Sequence, residues 1–571
     1  MNVETLVELF QSRLRSFAFG PELDQLAADL LRLLDGYRKR RADVNDRSRL
    51  KALALMAEYL DAVGRAPEAA ALLRLTVDEL MEDAGQWPRE LAAAPDIGAT
   101  RRLLRQRIWC AMAYAQTQLR AHRLTDAGRV IERMTGFVDE YLAVPEFPCH
   151  GTLALIRYYR GLWRRNLGLL NEAAWDFDAA LEQIQLRLVT KQGKYESIDP
   201  DRWRREVVYG RVSTARVLGF GHGGISLSRG RYVEARGWLL AAQQILARQG
   251  QEMWRLGLEV YGRGATVLVQ ELRPSSLGTL RANATRLADL AVWFRQRNPR
   301  QAFIAEAFSI LAEVRQRQIG APEVSLNLEG IRRRLDSCLR TAHMDGGPLS
   351  ATAALHLIEC LLRAGDWARC ELGLDRFQKV FGGREEAGPE FAVLRAELWL
   401  ETDRLTQARA ALEALVEQRP ANRAHRARAW ALLAISEKRT GRAAWAERAA
   451  AAARESLEHV QDGFAKMWVA SLLARLQPVA LPPAAMPYQQ PDEDSRWVDM
   501  EHNLEMARLN VAESAFRRHP SYSVEKLAAV MGRGHSWLYA FLAKHKDLPW
   551  VNSLLTGRGR QPGKAGPPEV H

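Results

Sequence analysis

The sequence is short of cysteine and without any long uncharged run, and each shortage removes a class of protein. Among 571 residues there are five cysteines, Cys110, Cys149, Cys338, Cys360 and Cys370, an odd number with no C-x-x-C pair. A disulfide framework or a zinc ribbon is therefore not expected, and a reducing cytoplasm fits best. No segment reaches the roughly 18 uncharged apolar residues of a membrane span. The opening residues, MNVETLVELFQSRLRSFAFG, put Glu4 and Glu8 where a signal peptide carries a basic cap and an apolar centre. A cytoplasmic chain with no membrane partner is the expectation. Only 11 of the 81 basic residues are lysine, and the 81 stand against 68 acidic ones for a net charge of +13. Isoleucine and threonine are sparse, whereas alanine, leucine, arginine and glutamate, all strong helix formers, are plentiful. The composition predicts an all-α protein.

Signals for chemistry are equally scarce. GFGHGG at Gly219–Gly224 lacks the preceding strand of a dinucleotide fold, and it reads as a bend or a close helix contact. Ser523-Val524-Glu525-Lys526 has the S-x-x-K spacing of some serine acylases without their companion motifs, so helix capping explains the serine. Cys149-His150 is a single pair after Pro148, and no H-E-x-x-H occurs. Carboxylates are spread along helix faces opposite arginines rather than gathered as an acid/base pair. No catalytic residue, cofactor or metal ligand is predicted. The arginine clusters Arg101-Arg102 with Arg105 and Arg107, Arg164-Arg165 and Arg332-Arg333-Arg334 are read as solvated faces or as a basic surface on the helices.

What the sequence does contain is a recurring plan. An apolar helix with an aromatic is followed by a short turn holding Gly, Asp or Arg, then by a second helix that opens on a Glu-Ala or Gln-Ala step. ALMAEYLDAVGRAPEAAALLRLTV turns at Gly64-Arg65, and YYRGLWRRNLGLLNEAAWDFDAAL turns at Gly168 and continues through Asn171-Glu172-Ala173. Further copies turn at Gly230, Gly365-Asp366, Asp403 and Gly441, and another starts at Trp109 with Leu124 and Ala127 beyond its turn. These stretches resemble the tetratricopeptide repeat, over about residues 50–475 and with irregular spacing. The resemblance implies a tetratricopeptide-like α-solenoid over 1–475 that holds a protein or peptide partner, with non-repeat helices between about Gln251 and Ala342.

The plan stops at Arg475. Pro478, Pro482, Pro483, Pro487 and Pro491 then fall in a stretch with no helical period, which reads as a linker over 476–496. A small domain is expected over 497–556, followed by a basic tail, 557–571. In the small domain Pro520 stops one helix, Ser523 caps the next, Gly532 makes a turn, and a third helix begins near His535. Leu527, Ala528, Met531, Gly532, Leu538 and Phe541 resemble the pattern of the helix-turn-helix of DNA-binding proteins, with Arg533 standing where that motif has an apolar residue. That resemblance implies DNA contacts from Lys526, Arg533, His535, Ser536, Tyr539, Lys544 and Lys546: His535, Ser536 and Tyr539 toward bases or phosphates, the others toward the backbone. One such module binds weakly, so a homodimer or a multiprotein complex is expected. Trp537–Trp550 is also similar to the C-terminal DNA-binding helices of target-selector proteins from Tn7-type transposons, although the Cys/His zinc sites usual there are missing. Together these features predict a non-enzymatic DNA-binding regulator or recruiter. The alternatives are an interaction scaffold with no DNA binding, or an accessory component of a mobile element or defence system.

Overall fold

A helix with one apolar stripe cannot bury that stripe alone, and in this chain each stripe is buried by neighbours in sequence. The computed structural model describes residues 3–15, 21–39, 47–63, 65–120, 123–138, 149–271, 273–319, 328–341, 348–381, 388–458, 460–474 and 476, and beyond them 512, 516, 523–524, 535–546 and 548–556. Every regular element among the described residues is helical, as the composition predicts. None of their helices is long and apolar enough to cross a membrane. The chain divides into two compact units, Met1–Ala180 with Ala215–Met486, and Leu181–Thr214 with Pro487–His571.

The first unit is built from antiparallel helical hairpins. Arg47–Ala62 pairs with Ala66–Asp83, Ile97–Arg120 with Leu124–Phe137, Pro348–Arg363 with Trp367–Phe381, Gly388–Glu401 with Leu405–Gln418, and Arg423–Arg439 with Ala443–Leu457. The first helices also stack on one another: Arg47–Ala62 packs on Ile97–Arg120, that helix on His150–Asn166, and Gly388–Glu401 on Arg423–Arg439. This is the nearest-neighbour packing of a helical repeat protein.

The hairpins turn by one device. Gly168, Gly230, Gly365 and Gly441 have φ of +75°, +70°, +76° and +77°, and Asp403 takes the same role at +60°. At each, two backbone bonds close the first helix. Leu169 N donates to Arg164 O and Gly168 N to Arg165 O; Arg231 N donates to Ser226 O and Gly230 N to Leu227 O; Arg442 N donates to Glu437 O and Gly441 N to Lys438 O. This pairing satisfies carbonyls that a helix end leaves free, and it requires a residue tolerant of the left-handed region.

The turn sets the register of the second helix. Four residues after the position that follows the left-handed residue, the buried side chain is small: Ala173, Ala235, Cys370, Ala408 and Ala446, with Ala69 and Ala127 in the corresponding place. Four residues further it is a buried Phe177, Leu239, Leu374 or Leu412, again matched by Leu73 and Ile131, while the hairpin that turns at Gly441 has Ala450 there. The small residue lets the two backbones approach, and the larger one fills the space one turn on.

Between 251 and 342 the helices are Glu252–Val269, Leu277–Arg295, Pro299–Gln318 and Leu328–Thr341, and their junctions use other chemistry. A 3-10 turn, Pro274–Ser276, leads into one of them. Asn298 caps another, its side chain accepting from Gln301 N with Pro299 in the first turn. The last helix of the unit among the described residues, Gly463–Ala474, returns to Glu252–Val269. The approach is so close that a Cβ on Gly463 would lie 2.5 Å from the carbonyl oxygen of Val269.

In the second unit Leu188 fills the space beside Gly210, and Arg187 pairs with Glu206 at 2.8 Å and lies over the Tyr209 ring. Ala512, Val524, Leu538, Phe541, Leu542, Val551 and Leu554 form its separate small core.

Two glycines separate the two reasons for glycine here. Gly168→Ala meets no atom within 4 Å but forces alanine to φ +75°, and the expected cost is about 1 kcal/mol. Gly161→Ala keeps a helical backbone but puts its Cβ 2.7 Å from the Phe177 ring, with an expected cost of about 1–3 kcal/mol. Urea unfolding midpoints of the two variants test both values.

Candidate binding sites

The C-terminal helix His535–Ala543 is sided. Leu538, Phe541 and Leu542 are buried against Val551 and Leu554 of the helix Pro549–Thr556, while Tyr539, Ala540, Ala543, Lys544 and Lys546 are exposed. His535 and Ser536 begin the helix, where its amides lack intrahelical acceptors. Lys526 and Arg533 lie outside the described residues. Of the seven residues named for DNA contact, the structure thus brings Tyr539, Lys544 and Lys546 to solvent beside one helix.

The glycine-rich GFGHGG segment has a packing role. Val217–Gly223 is a π-helix, and Gly219, Gly221 and Gly223 are buried in it. A Cβ on Gly219 would lie 2.7 Å from Leu258, and one on Gly221 would lie 2.9 Å from Phe177. The insertion also turns His222 to stack on Trp238, with Nε2 3.3 Å from Asp178.

A buried ionic cluster lies where four helices of the first unit meet. Glu359 Oε1 accepts from Arg428 at 2.9 Å and from Arg363 at 3.3 Å, Arg363 also pairs with Glu397, and Arg315 lies 3.7 Å from Asp462. Phe464 and Trp468 of the returning helix cover the guanidiniums: Arg315 and Arg363 over Phe464, Arg363 and Arg428 over Trp468. Burial alone would raise the Glu359 carboxyl, and the charges of Arg428 and Arg363 outweigh it, holding the group at about 2. Glu390 receives less compensation, so burial first and Glu359 second push it up to about 8. Burial lowers His356 to about 4 and His425 to about 3, with nearby arginines adding to both shifts. The 3.5 Å approach of His356 Nδ1 to Glu390 Oε1 is thus between two neutral groups at pH 7.

His356, Glu359 and Glu390 each offer one donor atom within 4.8 Å of the others, a set chemically suited to a divalent metal. The Glu359 oxygen is already shared by two guanidiniums, and Arg315 also faces the group. The arrangement is that of an ion network, with one proton kept on Glu390.

Two open cavities flank the hairpins. One, of about 590 Å³, is lined by Met81, Leu124, Gly128 and Trp163, with Arg129 and Arg133 also in its wall. The other, of about 640 Å³, lies where the turns at 168–172 and 229–231 meet 421–426 and 460–461, and it is lined by Arg229, Arg231, Arg423 and Arg426 with Glu172. Neither was legible as a site, since their residues are drawn from separated turns. The one sequence signal was the arginine following the turn glycine, as in Gly230-Arg231.

The titration of Glu390 gives a directional expectation. Its folded value lies above its unfolded one, so between about pH 4.5 and 8 the folded state holds the extra proton. The Glu390 contribution therefore falls as pH rises through that window. Glu390→Gln removes the proton requirement and should gain stability relative to the parent at pH 8–9, with little difference near pH 5. Glu359→Gln breaks a buried pair and should cost about 3–5 kcal/mol at neutral pH. Denaturant midpoints between about pH 5 and 9 measure both.

No family model matches this chain, and no curated protein does. Among solved structures it is similar to a chain of the crystal structure of the APC/C hetero-tetramer Cut9-Hcn1, at 11% identity over 90% of this chain and 97% of that one, with a TM-score of 0.31.

Proposed function

We propose that this chain is a non-catalytic recruiter, in which the helical hairpins hold a protein or peptide partner and the C-terminal module contacts DNA. The sidedness of His535–Ala543 carries the DNA reading: its apolar face is committed to a small core, and Tyr539, Lys544 and Lys546 are exposed on the other side, where a polyanion could meet them. A helix used this way sets its N-terminal amides toward phosphate and its exposed polar side chains toward the groove. Lys544 and Lys546 act as phosphate contacts and Tyr539 reaches a base edge or a sugar. His535 and Ser536, with Lys526 and Arg533, complete the proposed surface. The partner reading rests on the stacked hairpins, whose groove beside Trp163 offers an apolar floor with Arg129 and Arg133 beside it. Pairing the two surfaces brings a bound protein to DNA, as expected of a cytoplasmic regulator that works in a complex.

Duplex DNA binding by the full-length protein, followed by anisotropy at several salt concentrations, tests the proposal. Lys544→Ala with Lys546→Ala should reduce the slope of log K against log salt by about 2, and Tyr539→Ala should weaken binding without changing the slope. Slopes and affinities identical to the parent would leave the chain as an interaction scaffold. In parallel, Arg129→Glu with Arg133→Glu should release a partner that co-purifies with the parent protein.

A further inference from the structure

The arginine-lined cavity of the first unit joins parts of the chain some 250 residues apart, and its walls have one chemical character. Arg229, Arg231, Arg423 and Arg426 line it, against the single carboxylate of Glu172. Two of the guanidiniums bond to neutral acceptors, Arg229 to Asn171 Oδ1 at 2.6 Å and Arg426 to the carbonyl of Pro420 at 2.9 Å, so their charge is not neutralised there. Arg231 has Glu234 at 3.5 Å, with both side chains about half exposed. Arg229 is crowded: burial, then the neighbouring charge of Arg231, lowers its proton affinity. The helices beginning at Leu170, Tyr232 and Arg423 also start at this cavity, and each contributes the positive end of its dipole.

The walls also limit what fits. Apolar lining comes from Leu169, Leu170, Val460 and small residues, and among the described residues no aromatic ring lines it on which a base or a phenyl group could stack. A volume of about 640 Å³ suits a small molecule or a short chain of groups. Guanidinium forks match phosphate oxygens in pairs, and several of them favour a ligand of dense negative charge. A peptide carboxylate brings one charge per residue, whereas a linear triphosphate concentrates several within the length of one cavity.

We propose that this cavity binds a compact polyphosphate anion, a linear di- or triphosphate group, through Arg229, Arg231, Arg423 and Arg426. The site lies at the closure of the first unit. There Val233 N donates to Gln461 Oε1 at 2.9 Å, and Gly230 sits so close to Asn422 that a Cβ would approach its Oδ1 to 2.5 Å. A ligand bridging the 229–231 and 421–426 turns holds that closure, and its binding raises the stability of the unit by mass action. Inorganic polyphosphate and the phosphate chain of a nucleotide share the required chemistry.

The test titrates inorganic triphosphate into the full-length protein by calorimetry at about 0.15 M salt, where distant charges are screened. Saturable binding at one site with a rise in Tm is expected. Arg231→Glu with Arg423→Glu should weaken binding about tenfold or more and abolish the Tm rise. Arg231→Gln with Arg423→Gln should show a smaller loss in the same direction. Two controls should retain parental binding: Arg448→Glu, a single charge reversal elsewhere on the surface, and Lys544→Glu with Lys546→Glu, which makes the same charge change in the C-terminal module. A nucleoside triphosphate that binds as tightly as inorganic triphosphate identifies the phosphate chain as the whole ligand, and tighter binding identifies a nucleotide. Absence of binding, binding unchanged in the Arg231/Arg423 variants, or a phosphopeptide that binds through these arginines while triphosphate does not, would overturn the proposal. DNA affinity measured on the same variants keeps the outcome separate from that of the C-terminal helix.

Discussion

Everything in the first unit depends on how closely two helices can approach immediately after a turn. The left-handed residue at Gly168, Gly230, Gly365, Asp403 or Gly441 reverses the chain within two residues, so the second helix starts already pressed against the first. At that distance only a small side chain fits one turn into the second helix, hence Ala173, Ala235, Cys370, Ala408 and Ala446. Once those positions are small, the next buried residue can be large, and it meets the neighbouring hairpin as well as its own partner. Turn, small residue and large residue form one geometric condition, and a fault in the first propagates to the others.

The buried ionic cluster obeys a different constraint. Three guanidiniums, Arg315, Arg363 and Arg428, face Glu359, Glu397 and Asp462, and taking that many charges out of water is costly unless each finds a partner. A fourth carboxyl at Glu390 exceeds what the arginines can compensate, so it keeps its proton. The histidines beside it are neutral chiefly because burial disfavours their charged form, and the guanidiniums already present add to that effect. Phe464 and Trp468 supply the remaining stabilisation from above, and they belong to the helix that returns to Glu252–Val269. The network thereby ties the end of the unit to its middle.

Legibility from sequence followed the range of the interaction. The turns were legible because glycine or aspartate at a left-handed position is a local requirement, and so was the following alanine, a few residues away. The sidedness of His535–Ala543 was legible through the spacing of Leu538 and Phe541. GFGHGG reads as a bend or a close contact, and Gly219 and Gly221 are buried against Leu258 and Phe177, but no local signal specifies a π-helix. The ion network and the arginine cavity are not legible, because Arg315 with Asp462 and Gly230 with Asn422 are pairings between segments far apart in the sequence.

That return changes what the hairpins can do. In an open array each hairpin senses only its neighbours, and an event at one end fades within a repeat or two. Here Gly230 packs against Asn422 and Val233, just beyond that turn, bonds to Gln461, while Gly463–Ala474 joins the ion network to Glu252–Val269. Strain or charge introduced at the 421–426 turn is therefore felt at the 229–231 turn without passing through the hairpins between. Like charges gathered at such a junction are costly, since the guanidiniums repel one another across the closure that holds them together. An anion there converts that repulsion into attraction, which makes the closure the place where occupancy of a small site acts on the whole first unit.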